Sequence, residues 1–131
     1  MKKVLAFGAF DPLHEGHKDF LRQARELGDH LTVVVAHDSA IRAHKRREPY
    51  QSEEERLAAV KAIPSVDEVI LGRKTADQYH LLGEIEFDVL ALGYEQKPSD
   101  EDVRTHLNEK GKHHVTIVRL KPYQSEKYPP T

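Results

Sequence analysis

Lys3-Val4-Leu5-Ala6-Phe7-Gly8-Ala9-Phe10-Asp11-Pro12-Leu13-His14-Glu15-Gly16-His17 decides how the rest of the chain is read. It opens on a short apolar run, Lys3–Gly8, the pattern of a strand buried in a parallel sheet. A turn follows, and a helix is expected over residues 16–27, with Phe20, Leu21, Ala24 and Leu27 at helical spacing and Gly28 as its stop. His14 and His17 stand three residues apart at the helix start, so both imidazoles share one face. A helix N-terminus presents free N–H groups and a partial positive charge. With two histidines added, the stretch reads as an anion site, and a nucleotide's phosphates are the expected anion. Gly16 removes a side chain where substrate has to approach the backbone.

Outward from this stretch, strand and helix patterns alternate. A buried strand is expected over 31–36, and Ser52-Glu53-Glu54-Glu55 has the pattern of a capping box opening a helix that Pro64 stops. Glu68–Leu71 reads as a strand, 76–85 as a short helix and 88–92 as a strand ending at Gly93. Ser99 opens a helix that Gly111 closes, and 115–120 is a fifth strand. Such alternation predicts one α/β domain over residues 1–131, a five-stranded parallel sheet with helices on both faces and an irregular tail over 121–131. Ligands of such sheets lie beyond the carboxyl ends of the strands, at a switch point. The unusual polar residues fall there: Asp11 and His14 after the first strand, His37-Asp38-Ser39 and the basic stretch 42–47 after the second, Gly93-Tyr94-Glu95-Gln96 after the fourth, and Arg119 after the fifth.

Composition narrows the function classes. The 131 residues suffice for one domain with a proper core. A net charge of −2 provides no global attraction for nucleic acid. The chain has no cysteine, which excludes disulfides and thiol chemistry. No apolar run approaches the roughly 20 residues that span a bilayer, and the opening residues read as a strand, not a signal peptide. A soluble cytoplasmic protein without a membrane or nucleic-acid partner is the expectation.

The segment Gly8-Ala9-Phe10-Asp11-Pro12-Leu13-His14-Glu15-Gly16-His17 resembles the G-[ST]-F-D-x-x-H-x-G-H opening of the cytidylyltransferase-like nucleotidyltransferases. Leu27-Gly28-Asp29, residues 45–56, Val66-Asp67-Glu68-Val69-Ile70-Leu71-Gly72 and Asp88-Val89-Leu90-Ala91-Leu92-Gly93 are similar to further segments of that family. The resemblance implies a Rossmann-like nucleotidyltransferase fold. It also implies a reaction in which an acceptor phosphate attacks the α-phosphorus of a nucleoside triphosphate and pyrophosphate leaves. It assigns His14, His17 and Lys45 to catalysis. Gly8, Ala9, Phe10, Gly16, Arg56, Gly93, Glu95, Gln96 and Thr131 would bind nucleotide or phosphate, and Asp11, Lys45 and Arg47 would serve the acceptor. Mg²⁺ would arrive with the triphosphate, held by phosphate oxygens and water rather than by a protein cage. Among the subgroups the chain looks most like the small archaeal FAD synthases, on Leu92-Gly93-Tyr94-Glu95-Gln96 and on Val118-Arg119 leading into a tyrosine-containing tail. That similarity implies ATP plus FMN as substrates. CTP with glycerol 3-phosphate or a similar phospho-alcohol is the alternative, and a nucleotide-binding protein without turnover is the alternative outside catalysis. The family often forms homodimers, and a homodimer is the expectation here.

Three positions depart from the family pattern. Ala9 replaces Thr or Ser and removes one hydroxyl, Glu95 stands where Asp is common, and the Ser/Thr-rich segment expected after the last strand begins no earlier than Thr131. Away from the motif the blander reading prevails. His113-His114 reads as surface, and His30, His37, His44, His80 and His106 share no metal-ligand spacing. The 42–47 cluster reads as a solvated loop or an RNA-facing patch, and residues 45–49 have the composition of a mobile flap. Tyr50, Tyr123 and Tyr128 either stack on a flavin or base or simply pack.

Overall fold

The computed structural model describes residues 1–74, 79–93 and 99–121. Ten elements follow in chain order: β1 (Lys3–Gly8), α1 (Glu15–Arg25), β2 (His30–Val35), α2 (Asp38–Lys45), α3 (Glu53–Lys61), β3 (Glu68–Leu71), α4 (Tyr79–Leu82), β4 (Val89–Leu92), α5 (Asp100–Glu109) and β5 (Thr116–Arg119). The strands form one sheet in the order β3-β2-β1-β4-β5, and every pair is parallel. This is the expected five-stranded Rossmann-like architecture.

Alternation along each strand divides the core in two. Val4, Ala6, Leu31, Val33, Val35, Val89 and Ala91 face α1 and α3 through Leu21, Ala24 and Val60. Leu5, Val34, Leu90 and Leu92 face the other way, onto Leu81 and Leu82 of α4 and Val103 and Leu107 of α5. The chain runs outward from β1 through β2 to β3, returns to β4 on the far side of β1, and ends at β5. Right-handed crossovers in opposite directions put the helices on opposite faces. The direction reverses between β1 and β4, and the crevice of an open α/β sheet forms at such a reversal.

Three aspartates each sit one residue ahead of a strand run and pin its neighbour. Asp29 accepts from Lys2 N, Asp67 from Leu31 N and Asp88 from Lys3 N, at 2.8, 2.8 and 2.9 Å. The amides of the same aspartates donate to Lys2 O, Leu31 O and Lys3 O. Strand starts are thereby closed by carboxylates, and the polar end left for a ligand is the opposite, carboxyl end.

The structure corrects several expected boundaries. Helix α1 begins at Glu15 and ends at Arg25, with Glu26 as its C-cap in the right-handed region. Gly28 is therefore no left-handed stop. It is a close approach: a Cβ there would meet Lys2 O at 2.6 Å and Val4 Cγ2 at 2.9 Å. Gly111 does adopt the left-handed conformation, at φ 76°. Residues 38–45, part of which read as a basic loop, form helix α2, with His37 as N-cap accepting from Ser39 N through Nδ1. Among the described residues helix α4 covers Tyr79–Leu82 and stops short of the expected end at Ile85; residues 76–78 of the expected helix lie outside the described residues. Among the described residues no helix is long and apolar enough to cross a membrane.

Candidate active site

The loop after β1 turns on Phe10, which holds a left-handed backbone (φ 52°) and is 1% exposed. Its ring lies over Gly8, where a Cβ would come within 2.5 Å of it, so Gly8 is small to admit Phe10. The Phe10 ring then meets His17 edge to face, centroids 5.2 Å apart. The Asp11–Pro12 peptide bond is cis.

His14 is the N-cap of α1. Its Nδ1 accepts from Gly16 N at 3.1 Å and from His17 N at 3.3 Å. His17 answers with Nδ1 accepting from His14 N at 3.2 Å, which closes a capping box built from two histidines. The two rings stack, centroids 3.7 Å apart and planes 13° from parallel. Because both Nδ1 atoms accept from backbone, the neutral rings carry their protons on Nε2. The sequence placed the imidazoles on one face; the structure makes them a stacked pair with a defined tautomer. The pair stands at the positive end of a helix, which favours a polyanion, and Nε2 of His17 is buried.

Asp11 is 4% exposed. Its Oδ2 accepts from Arg47 Nη1 and Tyr50 N, each at 2.9 Å, and Oδ1 accepts from Gln51 N at 2.8 Å. Burial by itself raises the carboxyl, but the bonds from Tyr50 N, Arg47 and Gln51 N, with the guanidinium's charge, carry it below its ordinary value. Both oxygens are engaged, so Asp11 ties residues 47–51 across the strand ends. Arg47 also lies over the Tyr50 ring, 4.1 Å from the centroid.

Arg56 has a different task from the expected phosphate contact. It is fully buried. Nη1 donates to Ala9 O at 3.1 Å and to Ala36 O at 2.6 Å, Nε donates to Gln51 O at 3.2 Å, and Nη2 pairs with Asp38 at 2.5 Å. It joins the loops after β1 and β2 to the start of α3. A guanidinium with five donors in a planar fork suits such a junction. Asp38, whose role no motif indicated, supplies the counter-charge; its position just after β2 was the available signal.

The remaining expected residues distribute as follows. Gly8 ends β1 and Ala9, 8% exposed, follows it; their carbonyls are taken by Ala36 N and Arg56 respectively. Gly16 occupies the first turn of α1. Gly93 follows β4, beside β1, and its carbonyl accepts from Arg119 Nη1 at 2.7 Å; Arg119 also pairs with Asp100. Lys45 closes α2, with its side chain outside the described part, and Glu95, Gln96 and Thr131 lie outside the described residues. Residues 46–49, with 45 expected to be part of a mobile flap, lead from α2 into the segment Asp11 holds through Arg47 and Tyr50. The structure thus brings His14, His17, Phe10, Asp11, Arg47 and Arg56 to one edge of the sheet. Among the described residues no three His, Cys, Asp or Glu side chains gather as a metal site.

The chain is similar to known proteins over most of its length. The model of the family "Cytidylyltransferase-like" matches residues 5–128. The FAD synthase of Thermococcus onnurineus is 44% identical over 109 residues, 83% of this chain and 73% of that one. The FAD synthase of Methanosarcina barkeri is 45% identical over 111 residues, 85% of this chain and 78% of that one. The crystal structure of a lipopolysaccharide core biosynthesis protein from Thermoplasma volcanium superposes with a TM-score of 0.87 at 38% identity, covering 95% of this chain and 99% of that one. Thermotoga maritima TmcAL bound with alpha-thio ATP shares the fold alone, with a TM-score of 0.63 at 14% identity over 95% of this chain and 47% of that one. A parallel five-stranded sheet, a histidine pair at the first helix start and a match across nearly the whole length agree: the chain belongs to the cytidylyltransferase-like family.

Proposed function

We propose that this protein is an adenylyltransferase that makes FAD from ATP and FMN. A phosphate oxygen of FMN attacks the α-phosphorus of ATP; the new P–O bond forms as the bond to the β-phosphate bridge breaks, and pyrophosphate leaves. No covalent bond to the protein is needed, so catalysis is positioning and charge stabilisation. His14 and His17 donate from Nε2 to triphosphate oxygens, and the first turn of α1 adds its N–H groups, with Gly16 leaving room for approach. Arg47 and Lys45 are assigned to the acceptor's phosphate, and Gly93, Glu95, Gln96 and Thr131 to the nucleotide. Asp11 and Arg56 hold the loops that carry these groups. A magnesium ion would be held by the triphosphate's own oxygens and water and would neutralise phosphate charge.

The observation that carries this reading is the stacked, backbone-locked histidine pair in a chain 44% and 45% identical to proteins named FAD synthase. Its test is pyrophosphate release from ATP or CTP against FMN, glycerol 3-phosphate, phosphocholine and phosphopantetheine. ATP with FMN is expected to be the productive pair, with FAD identified by chromatography. Release confined to CTP with glycerol 3-phosphate, or no release with any pair, overturns it.

A further inference from the structure

An exposed tyrosine by itself needs no explanation. Tyr50 differs because it is both exposed and held. It is 72% exposed, and among the described residues only Met1 is another large hydrophobic side chain left so open. Its amide is bound by the buried Asp11 carboxylate, as is the amide of Gln51 after it. One face of its ring is covered by the Arg47 guanidinium, which is itself anchored to Asp11. The ring is thus fixed from behind, and Arg47 is its sole cation or aromatic neighbour among the described residues.

Arg47 shows a complementary feature. Nη1 alone makes its hydrogen bonds, to Asp11 Oδ2 and to Glu48 O. Nε and Nη2 bond to nothing among the described residues, and the side chain is 29% exposed. A guanidinium oriented by one nitrogen and a ring contact, with two donors left over, is prepared for an oxyanion. A planar aromatic surface and an oriented phosphate donor therefore stand side by side, both held by Asp11, which lies three residues before His14.

We propose that Tyr50 and Arg47 form the acceptor clamp, the isoalloxazine ring of FMN stacking on the open face of Tyr50 while Arg47 takes its phosphate. This rests on the acceptor proposed above and adds the residue that would select it. FMN carries a planar ring and a phosphomonoester on one flexible chain, whereas glycerol 3-phosphate offers only the phosphate. Ordering the tyrosine beforehand lowers the entropic cost of stacking, and base–aromatic stacking sets the scale for its loss on truncation.

The test is flavin fluorescence and steady-state kinetics on the parent, Tyr50→Ala and Tyr50→Phe. A stacked phenol quenches an excited flavin by electron transfer, and a phenyl ring is a poorer donor. The parent should quench FMN on binding. Tyr50→Ala should bind FMN about tenfold more weakly and raise its KM to match, with the KM for ATP within twofold. Tyr50→Phe should keep the parent's affinity while bound flavin becomes brighter, a change that a merely structural role would not produce. Equal affinity and equal quenching in parent and Tyr50→Ala overturn the clamp and leave the FMN reading standing. A parent that neither binds nor adenylylates FMN overturns both.

Discussion

His14 has two tasks on one ring. Nδ1 caps α1 by accepting from Gly16 N and His17 N, and Nε2 carries the proton that is proposed to meet the triphosphate. The tasks separate by substitution. Asparagine at an N-cap supplies an acceptor oxygen at the position of Nδ1 but nothing at Nε2. His14→Ala is expected to lose about 1 kcal/mol of stability, while His14→Asn stays within a few tenths of the parent in urea denaturation. Both variants should lose turnover by about 100-fold or more, followed as pyrophosphate release. A fall in activity that instead tracks the stability loss would reduce His14 to a cap. The same scale explains why Asp11 was legible only in part. Its place between a strand and the histidine motif marked it as part of the site, but nothing nearby in sequence showed that Arg47, Tyr50 and Gln51 would bind it.

At the scale of elements, the strand starts are the most regular feature. Asp29, Asp67 and Asp88 stand one residue before the runs of β2, β3 and β4 and close the neighbouring strand's first free amide. This spacing is visible in the sequence but acquires meaning only once the strand order is known. Glycine shows the converse. Gly28 looked like a helix stop, yet its smallness admits the backbone at Lys2. Gly28→Ala is therefore expected to cost about 1–3 kcal/mol through overpacking, because the nearest atom is a carbonyl oxygen that cannot swing aside. Guanidinium unfolding would measure it, and a neutral result would show that β1 has slack at its start. Helix α2 lies in a stretch that carries mostly polar residues and follows β2 after only two residues; its start is set by the His37 cap and Ile41 buries its apolar side.

Over the whole molecule, Arg56 is the junction. Its guanidinium reaches the loops after β1 and β2 and the residue preceding the cap of α3, and Asp38 balances its charge. Truncating one member of a buried ion pair leaves the other uncompensated, and here three carbonyls would also lose their donor. Arg56→Leu is expected to destabilise the protein by about 3–5 kcal/mol, seen as a large drop in melting temperature. If the variant folds as well as the parent and only the KM for a phosphate substrate rises, Arg56 contacts substrate directly and the assignment is wrong.

Local chemistry in the chain determined the alternation of strands and helices, the capping box at Ser52 and the approach of His14 to His17, because each depends on neighbours within a few residues. It also pointed to the edge of the sheet where a ligand belongs. Tertiary structure decided the rest. Whether Arg56 faces phosphate or protein, which groups Asp11 binds, and where the Tyr50 ring is held depend on residues between 18 and 47 positions apart. Such contacts exist only after the sheet has folded, and a charged side chain near a site reads the same in sequence whether the fold buries it or presents it.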